Sequence, residues 1–175
     1  MFGLTRQIAD IASVTRLLQH VIFNVITCNT DAHAKNYSLL ISATGARLAP
    51  LYDVMCGAVW PKITKNMSNT IAGKTRGDYL KGRHWQREAA LCGLSPAATL
   101  RQVSALCERV TAMLDATVED LVAMDSESRS MAEDCRAEIA QRALFLTNGL
   151  RELDPDLKGW LAAHGRGAVP RGEGV

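Results

Sequence analysis

The sequence has almost no excess of one charge, no long apolar run and no cysteine pair at metal-binding spacing. A net charge of +2 is too small to indicate a nucleic-acid or membrane surface. No apolar run approaches the length of a membrane span, and the first six residues lack the basic and apolar segments of a signal peptide. These absences predict a cytoplasmic protein that does not act on a membrane.

The cysteines are few and scattered. No CxxC pair and no His/Cys spacing suited to zinc is found among the five: Cys28, Cys56, Cys92, Cys107 and Cys135. An odd, scattered set fits reduced thiols in a cytosolic protein better than a disulfide framework. We therefore expect neither a disulfide scaffold nor structural zinc.

Length and composition suit one domain, or one lobe of a larger one. Of the 175 residues, 47% are hydrophobic and 22% are charged, as in ordinary soluble globular proteins. Apolar spacing and helix start and stop signals predict helices over residues 7–26, 83–91, 96–124 and 129–150. Residues 154–175 are rich in Gly, Pro and charge, so we expect a disordered tail there. The predicted fold class is mainly α.

A polar loop and a β-hairpin are predicted to follow the first helix. Residues 27–36 form a polar cluster, which indicates a loop. Residues 37–41 are β-prone, Thr44-Gly45 offers a turn, and residues 47–50 resume an extended structure. Asp53 lies just beyond the far end of this hairpin.

Three residues of this region have the order and spacing of a protein-kinase active site. Phosphoryl transfer from ATP needs a carboxylate that accepts the proton of the attacking hydroxyl, and an Asn and a second Asp that hold Mg²⁺. Asp31 and Asn36 have four residues between them, and Asp53 follows after the hairpin. Such spacing also arises by chance, and polar loops usually cap their own backbone. The spacing therefore leaves two interpretations open, an ordinary polar loop and a phosphotransfer site.

Two motifs closely resemble the C-terminal domain of the HipA toxin family. They are Asn-Thr-Asp-Ala-His-Ala-Lys-Asn at 29–36 and Leu-Ala-Pro-Leu-Tyr-Asp-Val at 48–54. The similarity continues through 67–74 and, weakly, through 78–94. Members of the family are bacterial serine/threonine kinases of toxin–antitoxin modules. The resemblance implies the helical C-terminal lobe of a protein-kinase-like fold, with a small β-hairpin next to the catalytic loop.

The resemblance also implies a role for each motif residue. Asp31 would be the catalytic base, while Asn36 and Asp53 would bind Mg²⁺ and, through it, ATP. His33 and Lys35 match loop residues of the family and would support the loop or the phosphates. The phosphoryl acceptor would be a protein hydroxyl. A helix-turn-helix antitoxin would be the partner, and DNA would be contacted only indirectly through it.

The resemblance further implies a domain organisation. Residues 1–125 would form the core of the kinase C-lobe, with the catalytic loop at 28–36, and residues 126–153 would add its last helix. Complete family members carry a long N-terminal part with a phosphate-covering loop and an ATP-positioning Lys. This sequence begins about one helix before the catalytic loop and has no Gly-rich nucleotide loop. We therefore expect the N-terminal lobe to be missing.

Two alternatives to an active protein kinase follow from that expectation. The chain would be a non-catalytic remnant, or one half of a split kinase, that serves as an interaction module for an antitoxin or a partner chain. Small-molecule phosphotransfer is a further alternative, because it uses the same Asp and Asn chemistry. The motif resemblance favours the protein kinase.

Overall fold

The computed structural model describes residues 11–164, which form five α-helices and one two-stranded sheet. This confirms the predicted mainly helical fold with a small hairpin. The elements in chain order are α1 (Ile11–Ile26), β1 (Leu39–Ser42), β2 (Gly45–Leu48), α2 (Gly82–Leu91), α3 (Pro96–Met124), α4 (Arg129–Gly149) and α5 (Leu157–His164).

Helix α1 is the central helix of the core because apolar side chains surround most of it. Leu17, Ile22 and Ile26 are fully buried, and α1 packs against both α3 and α4. Side chains from the later helices and from the segment before α2 complete one apolar cluster. It includes Leu18, Ile22, Val25, Ile26, Ile71, Leu80, Trp85, Val103, Cys107, Ala143 and Leu146. No helix within residues 11–164 has the length and apolar character needed to cross a membrane.

Helix α3 begins where the sequence predicts it. Ser95 is the N-cap, and its Oγ accepts a hydrogen bond from the backbone N–H of Ala98 at 3.3 Å, with Pro96 in the first helical position. The helix runs for 29 residues and packs along α4. A short 3₁₀ turn, Ser126–Ser128, joins the two helices. This helix pair supports α1, at whose C-terminal end the polar loop starts.

A hydrogen bond joins the hairpin to α1. Leu39 pairs with Leu48 and Ser42 pairs with Gly45, so the turn lies at Ala43-Thr44. Gly45 has a φ of 136°, a conformation that favours glycine. The backbone N–H of Leu48 donates to the Oγ of Ser13 at 3.0 Å, and Leu48 is buried. The hairpin therefore returns the chain to the end of the polar loop.

The prediction of a disordered tail is wrong for residues 154–164, which are ordered and include a helix. Asp154 accepts a hydrogen bond from Arg87 Nε at 2.6 Å, and its own N–H donates to Gln86 Oε1 at 2.7 Å. Helix α5 then places Trp160 under the guanidinium of Arg87, 4.9 Å from the ring centroid. These anchors lie on α2, far away in sequence, so local composition cannot reveal them. Residues 165–175 of the predicted tail, and residues 7–10 of the predicted first helix, lie outside the described residues.

Candidate functional site

The polar loop starts with a sharp reversal at the end of α1. The N–H of Thr27 still bonds to the carbonyl of Phe23 at 2.9 Å, as in a helix. Cys28 then has a φ of 58°, and the N–H of Asn29 donates to the carbonyl of Asn24 at 2.9 Å. A left-handed residue that ends a helix satisfies carbonyls that would otherwise lack partners. The reversal directs Asn29 back beneath the loop.

Asn29 connects the loop to its surroundings. Its side chain is 2% exposed, and its Oδ1 accepts the N–H of Asp31 at 3.1 Å. Its Nδ2 donates to Asn24 Oδ1 at 2.9 Å and to the carbonyl of Asp53 at 3.2 Å. Asn24 in turn donates to the hydroxyl of Tyr37 at 3.0 Å. One buried amide thus fixes the backbones of both Asp31 and Asp53.

Asn36 brings the predicted site residues together. It ends a short 3₁₀ turn, Ala34–Asn36, and its side chain is buried. Its Nδ2 donates to the carbonyl of Asp31 at 3.0 Å and to Oδ2 of Asp53 at 2.9 Å. Residues that the sequence places at opposite ends of a loop and a hairpin therefore lie in direct contact.

His33 and Lys35 join the site in different ways. The Nε2 of His33 lies 3.0 Å from Oδ1 of Asp31, and both side chains are about half exposed, at 51% and 50%. Lys35 is exposed, and its carbonyl accepts the hydroxyl of Tyr52 at 3.1 Å. Tyr52 also shares a hydrogen bond of 2.8 Å with the Oγ of Ser38. The side chain of His33 thus contacts the carboxylate of Asp31. Lys35 instead joins the loop to Tyr52, the residue before Asp53, through its backbone carbonyl.

Asp53 adopts an uncommon backbone conformation, with a φ of 56°. This left-handed region favours glycine, although Asp adopts it more readily than most other residues do. The amides of Asn29 and Asn36 bond to the carbonyl and the carboxylate of Asp53, respectively. These two bonds hold the residue in place while its side chain stays exposed to solvent.

A third segment, residues 68–69, also supports the loop. The sequence offered no reason to assign these residues to the site. The N–H and Oγ of Ser68 both donate to the carbonyl of Thr30, at 3.0 and 2.7 Å. Asn69 Nδ2 donates to the carbonyl of Ala32. The available signal was the resemblance of residues 67–74 to the family, which gave these side chains no role. They fix the backbone on both sides of Asp31.

Burial also affects the phenol next to the loop. Tyr37 is half-buried, and burial raises the pKa of its hydroxyl, while the hydrogen bond from Asn24 lowers it. The hydroxyl therefore stays neutral and keeps its place as the acceptor for Asn24. Together these contacts form one polar network beneath the solvent-exposed carboxylates of Asp31 and Asp53.

The arrangement can hold a divalent cation only with help from other ligands. Within residues 11–164, no group of three or more His, Cys, Asp and Glu side chains is arranged to bind a metal ion. Asn36 and Asp53 nevertheless carry an amide oxygen and a carboxylate on side chains that are in direct contact, with the amide nitrogen of Asn36 facing the carboxylate. Mg²⁺ typically takes one or two protein oxygens and completes its shell with water and substrate phosphates. The residues fit such a shared site.

Comparison with known proteins gives the family. The model of the HipA-like C-terminal domain matches residues 1–118. The chain belongs to the HipA-like C-terminal domain family. The match contains α1, the hairpin, α2 and most of α3, together with Asp31, Asn36 and Asp53. The resemblance seen in the sequence is thereby confirmed.

Individual relatives agree with this assignment. The chain is 28% identical over 121 residues to the Y4mE protein of Sinorhizobium fredii, covering 68% of this chain and 29% of the relative. It is 31% identical over 61 residues to the serine/threonine-protein kinase toxin HipA of Shewanella oneidensis, covering 35% of this chain and 14% of that toxin. The chain thus spans less than a third of the length of either relative.

A solved structure shares the fold. The HipA of Shewanella oneidensis, solved in a complex with HipB and operator DNA, superposes with a TM-score of 0.74 at 18% sequence identity. The superposition covers 87% of this chain and 37% of that HipA chain. The HipA-like domain described here therefore has a kinase-like fold that corresponds to part of a larger protein.

Proposed function

We propose that this HipA-like domain is the catalytic-loop half of a serine/threonine protein kinase that transfers a phosphoryl group from ATP to a protein hydroxyl. The observation that carries the proposal is the contact of Asn36 with both Asp31 and Asp53. Phosphoryl transfer depends on positioning more than on covalent chemistry, so the fixed geometry of these three residues is the relevant feature.

Asp31 is proposed as the base that orients the acceptor hydroxyl and takes its proton. Half of its side chain is exposed, so a substrate hydroxyl can approach. The backbone of Asp31 is held on both sides by Asn29 and Asn36. His33 contacts one carboxylate oxygen and thereby restricts the rotation of the side chain.

Asn36 and Asp53 are proposed to hold Mg²⁺, which neutralises charge on the phosphate oxygens when it is bound. They present oxygen ligands of the kind that this cation prefers. Lys35 is exposed at the rim of the loop and is proposed to face the phosphates of ATP. The positive charge of the Lys35 side chain would attract the negatively charged phosphates of the nucleotide.

The partners are proposed from the family. The matched toxin of Shewanella oneidensis has a solved complex with HipB and operator DNA. We propose a helix-turn-helix antitoxin as the partner of the protein to which this domain belongs, with DNA reached only through that antitoxin. Protein substrates in the cytoplasm are the proposed acceptors.

Nucleotide binding by the chain tests the proposal. Mg-ATP should raise the melting temperature, because a ligand that binds only the folded state at about 100 times its Kd adds about 2.7 kcal/mol of stability. The effect should disappear with EDTA and in Asp53→Ala, but it should persist in Asp120→Ala, a matched change on the exposed surface of α3. The kinase proposal for this chain would be overturned if Mg-ATP left the melting temperature unchanged and Asp53→Ala made no difference to that result. Such an outcome would favour an interaction module.

A further inference from the structure

Three cysteine thiols from distant parts of the sequence meet beside the catalytic loop. Cys28 starts the loop, Cys56 follows Asp53 by three positions, and Cys135 lies on α4. The thiols of Cys28 and Cys135 both lower the pKa of the Cys56 thiol. We call these three residues the thiol cluster.

Backbone contacts confirm the placement of the thiol cluster. The N–H of Gly57, the residue after Cys56, donates to the carbonyl of Cys28 at 3.1 Å. The Sγ of Cys28 lies 4.0 Å from the carbonyl oxygen of Glu138 on α4. Glu138 and Cys135 are three positions apart, so they occupy the same face of that helix. The cluster therefore joins the catalytic loop, the segment after Asp53 and α4.

The thiols differ in their tendency to ionise. A hydrogen bond from the Cys28 thiol lowers the pKa of Cys56 to about 6, and the nearby N–H groups of Ala58 and Val59 and the thiol of Cys135 lower it further, against the effect of burial. The pKa of Cys28 is raised by that same hydrogen bond and by burial. Burial, with the charge of Cys56, raises the pKa of Cys135 to about 11. Of the three thiols, Cys56 is therefore the one whose surroundings favour the thiolate.

This arrangement suits thiol oxidation. The thiolate is the form of cysteine that attacks oxidants, and redox-sensitive cysteines combine a low pKa with a neighbouring thiol that resolves the first product. Cys56 is half-buried, and a cavity of about 370 Å³ is lined by Cys28 of the thiol cluster and by Ala58, two positions after Cys56. Its remaining lining includes Thr30 of the loop and Arg142 of α4. A small uncharged oxidant such as hydrogen peroxide fits a space of this size.

We propose that Cys56 is a peroxide-reactive site that forms a disulfide with Cys28 and thereby cross-links the start of the catalytic loop to the segment after Asp53. The Cys56 sulfur attacks one oxygen of hydrogen peroxide, the O–O bond breaks, and the leaving hydroxide takes a proton to become water. Cys56 is then a sulfenic acid. The Cys28 sulfur loses its proton and attacks the Cys56 sulfur, so that an S–S bond forms and the S–O bond breaks with release of a second water.

Cys28 is the partner that the structure favours. The hydrogen bond from the N–H of Gly57 to the carbonyl of Cys28 already holds the two segments together, and the Cys28 thiol has the largest effect on the pKa of Cys56. The remaining cysteines lie outside the thiol cluster. Cys107 is buried on α3, and Cys92 donates to Glu88 Oε1 at 3.5 Å at the end of α2. Cys92 has the same half-buried character as Cys56 and serves as an internal control.

Reaction of the full chain with hydrogen peroxide tests the proposal without any assumption about kinase activity. After treatment at pH 7 and alkylation of the remaining thiols, peptide mass mapping should show a Cys28–Cys56 disulfide. In the untreated protein, iodoacetamide should label Cys56 about tenfold faster than Cys92, because the surroundings of Cys56 favour the thiolate. Both measurements use the unmodified sequence, so they do not depend on a variant that folds.

Variants separate the possible outcomes. Cys56→Ser should abolish the disulfide, while Cys92→Ser should leave it unchanged. Labelling of Cys92 as fast as Cys56 would overturn the proposal, and so would oxidation that leaves Cys28 unlinked. A disulfide between Cys56 and Cys135 would overturn the assignment of Cys28 as partner. If Mg-ATP raises the melting temperature of neither the oxidised nor the reduced protein, the kinase proposal fails. The disulfide proposal is unaffected by that result.

Discussion

The Nδ2 of Asn36 lies 2.9 Å from Oδ2 of Asp53, across 17 positions of sequence that include the whole hairpin. The same nitrogen lies 3.0 Å from the carbonyl of Asp31. A proposed base and two proposed metal ligands are thus linked through one amide. The amide has to donate in both directions, and this requirement makes the site sensitive to exchange of a single atom.

Asn36→Asp should therefore destabilise the domain. The change replaces a donor by a carboxylate that faces the carboxylate of Asp53 and the carbonyl of Asp31, so two hydrogen bonds become repulsive contacts. We expect a loss of about 1–3 kcal/mol in the free energy of unfolding, measured by urea denaturation. The matched variant Asn66→Asp, at an exposed position outside the helices, should change stability by less than about 0.5 kcal/mol. Equal effects of the two substitutions would contradict the role of the Asn36 amide.

Gly57→Ala should be destabilising because its new methyl group has no room. A Cβ at position 57 would lie 2.5 Å from Thr30 Oγ1 and 3.4 Å from the carbonyl of Cys28. We expect a cost of about 1–3 kcal/mol. In a Thr30→Ala background the closest clash is absent, so the same Gly57→Ala change should cost at least about 1 kcal/mol less. A double-mutant cycle by urea denaturation measures the difference, and additive effects would show that Thr30 does not limit the space.

His84 should make the domain sensitive to mild acid. Burial, with the charges of Arg83, Lys74 and Arg87, lowers the pKa of His84 to about 4. Its Nδ1 accepts the N–H of Lys81 at 2.9 Å, which requires an unprotonated nitrogen. Below the ordinary histidine pKa of 6.5, the unfolded chain takes up a proton that the folded chain does not. Stability should therefore fall by about 1–3 kcal/mol as the pH drops from 6.5 toward 4.

Replacement of His84 isolates this effect. His84→Asn keeps an acceptor near the N–H of Lys81 but cannot titrate, so the slope of unfolding free energy against pH should flatten between pH 6 and 4. His20, whose pKa is also lowered, first by burial and then by Arg16, supplies a slope in the same direction that should remain. A variant with the full original slope would show that His84 is not the responsible group.

Arg87 should hold helix α5 in place. Its guanidinium bonds to Asp154 at 2.6 Å and covers the ring of Trp160 at 4.9 Å. In Arg87→Ala, amide hydrogens of Leu157–His164 should exchange at least about tenfold faster, while those of α1 should keep their rates. Arg101→Ala, an exposed change on α3, is the control and should leave α5 protected. Unchanged exchange in α5 would show that other contacts fix it.

The elements that the sequence predicts well are those with local signals. Ser95 and Pro96 mark the start of α3 within one residue, and the hairpin lies where β-prone segments flank Thr44-Gly45. Helix α5 has no comparable signal. Its anchors, Arg87 and Gln86, sit on another helix, and the glycine-rich composition around it predicts disorder instead.

The candidate site shows the same limit. The spacing of Asp31, Asn36 and Asp53 could be seen in the sequence because kinase catalytic loops share it, and the structure brings the three residues together. Their catalytic roles stay a prediction. The contributions of Asn24, Asn29 and Ser68 could not be foreseen. Each depends on a buried amide or a hydroxyl that reaches a backbone carbonyl or a side chain from another segment, and amino-acid type alone does not specify such a partner.

The loop is shaped by side chains that donate to main-chain carbonyls, namely those of Thr30, Asp31, Ala32 and Asp53. Every amino acid carries a carbonyl, so these acceptor positions contribute to the frame whatever side chain they bear. The side chain at position 31 can therefore change in the course of evolution without first dismantling the loop. One substitution can therefore remove or change the chemistry of such a loop while the hydrogen bonds that hold its backbone are kept.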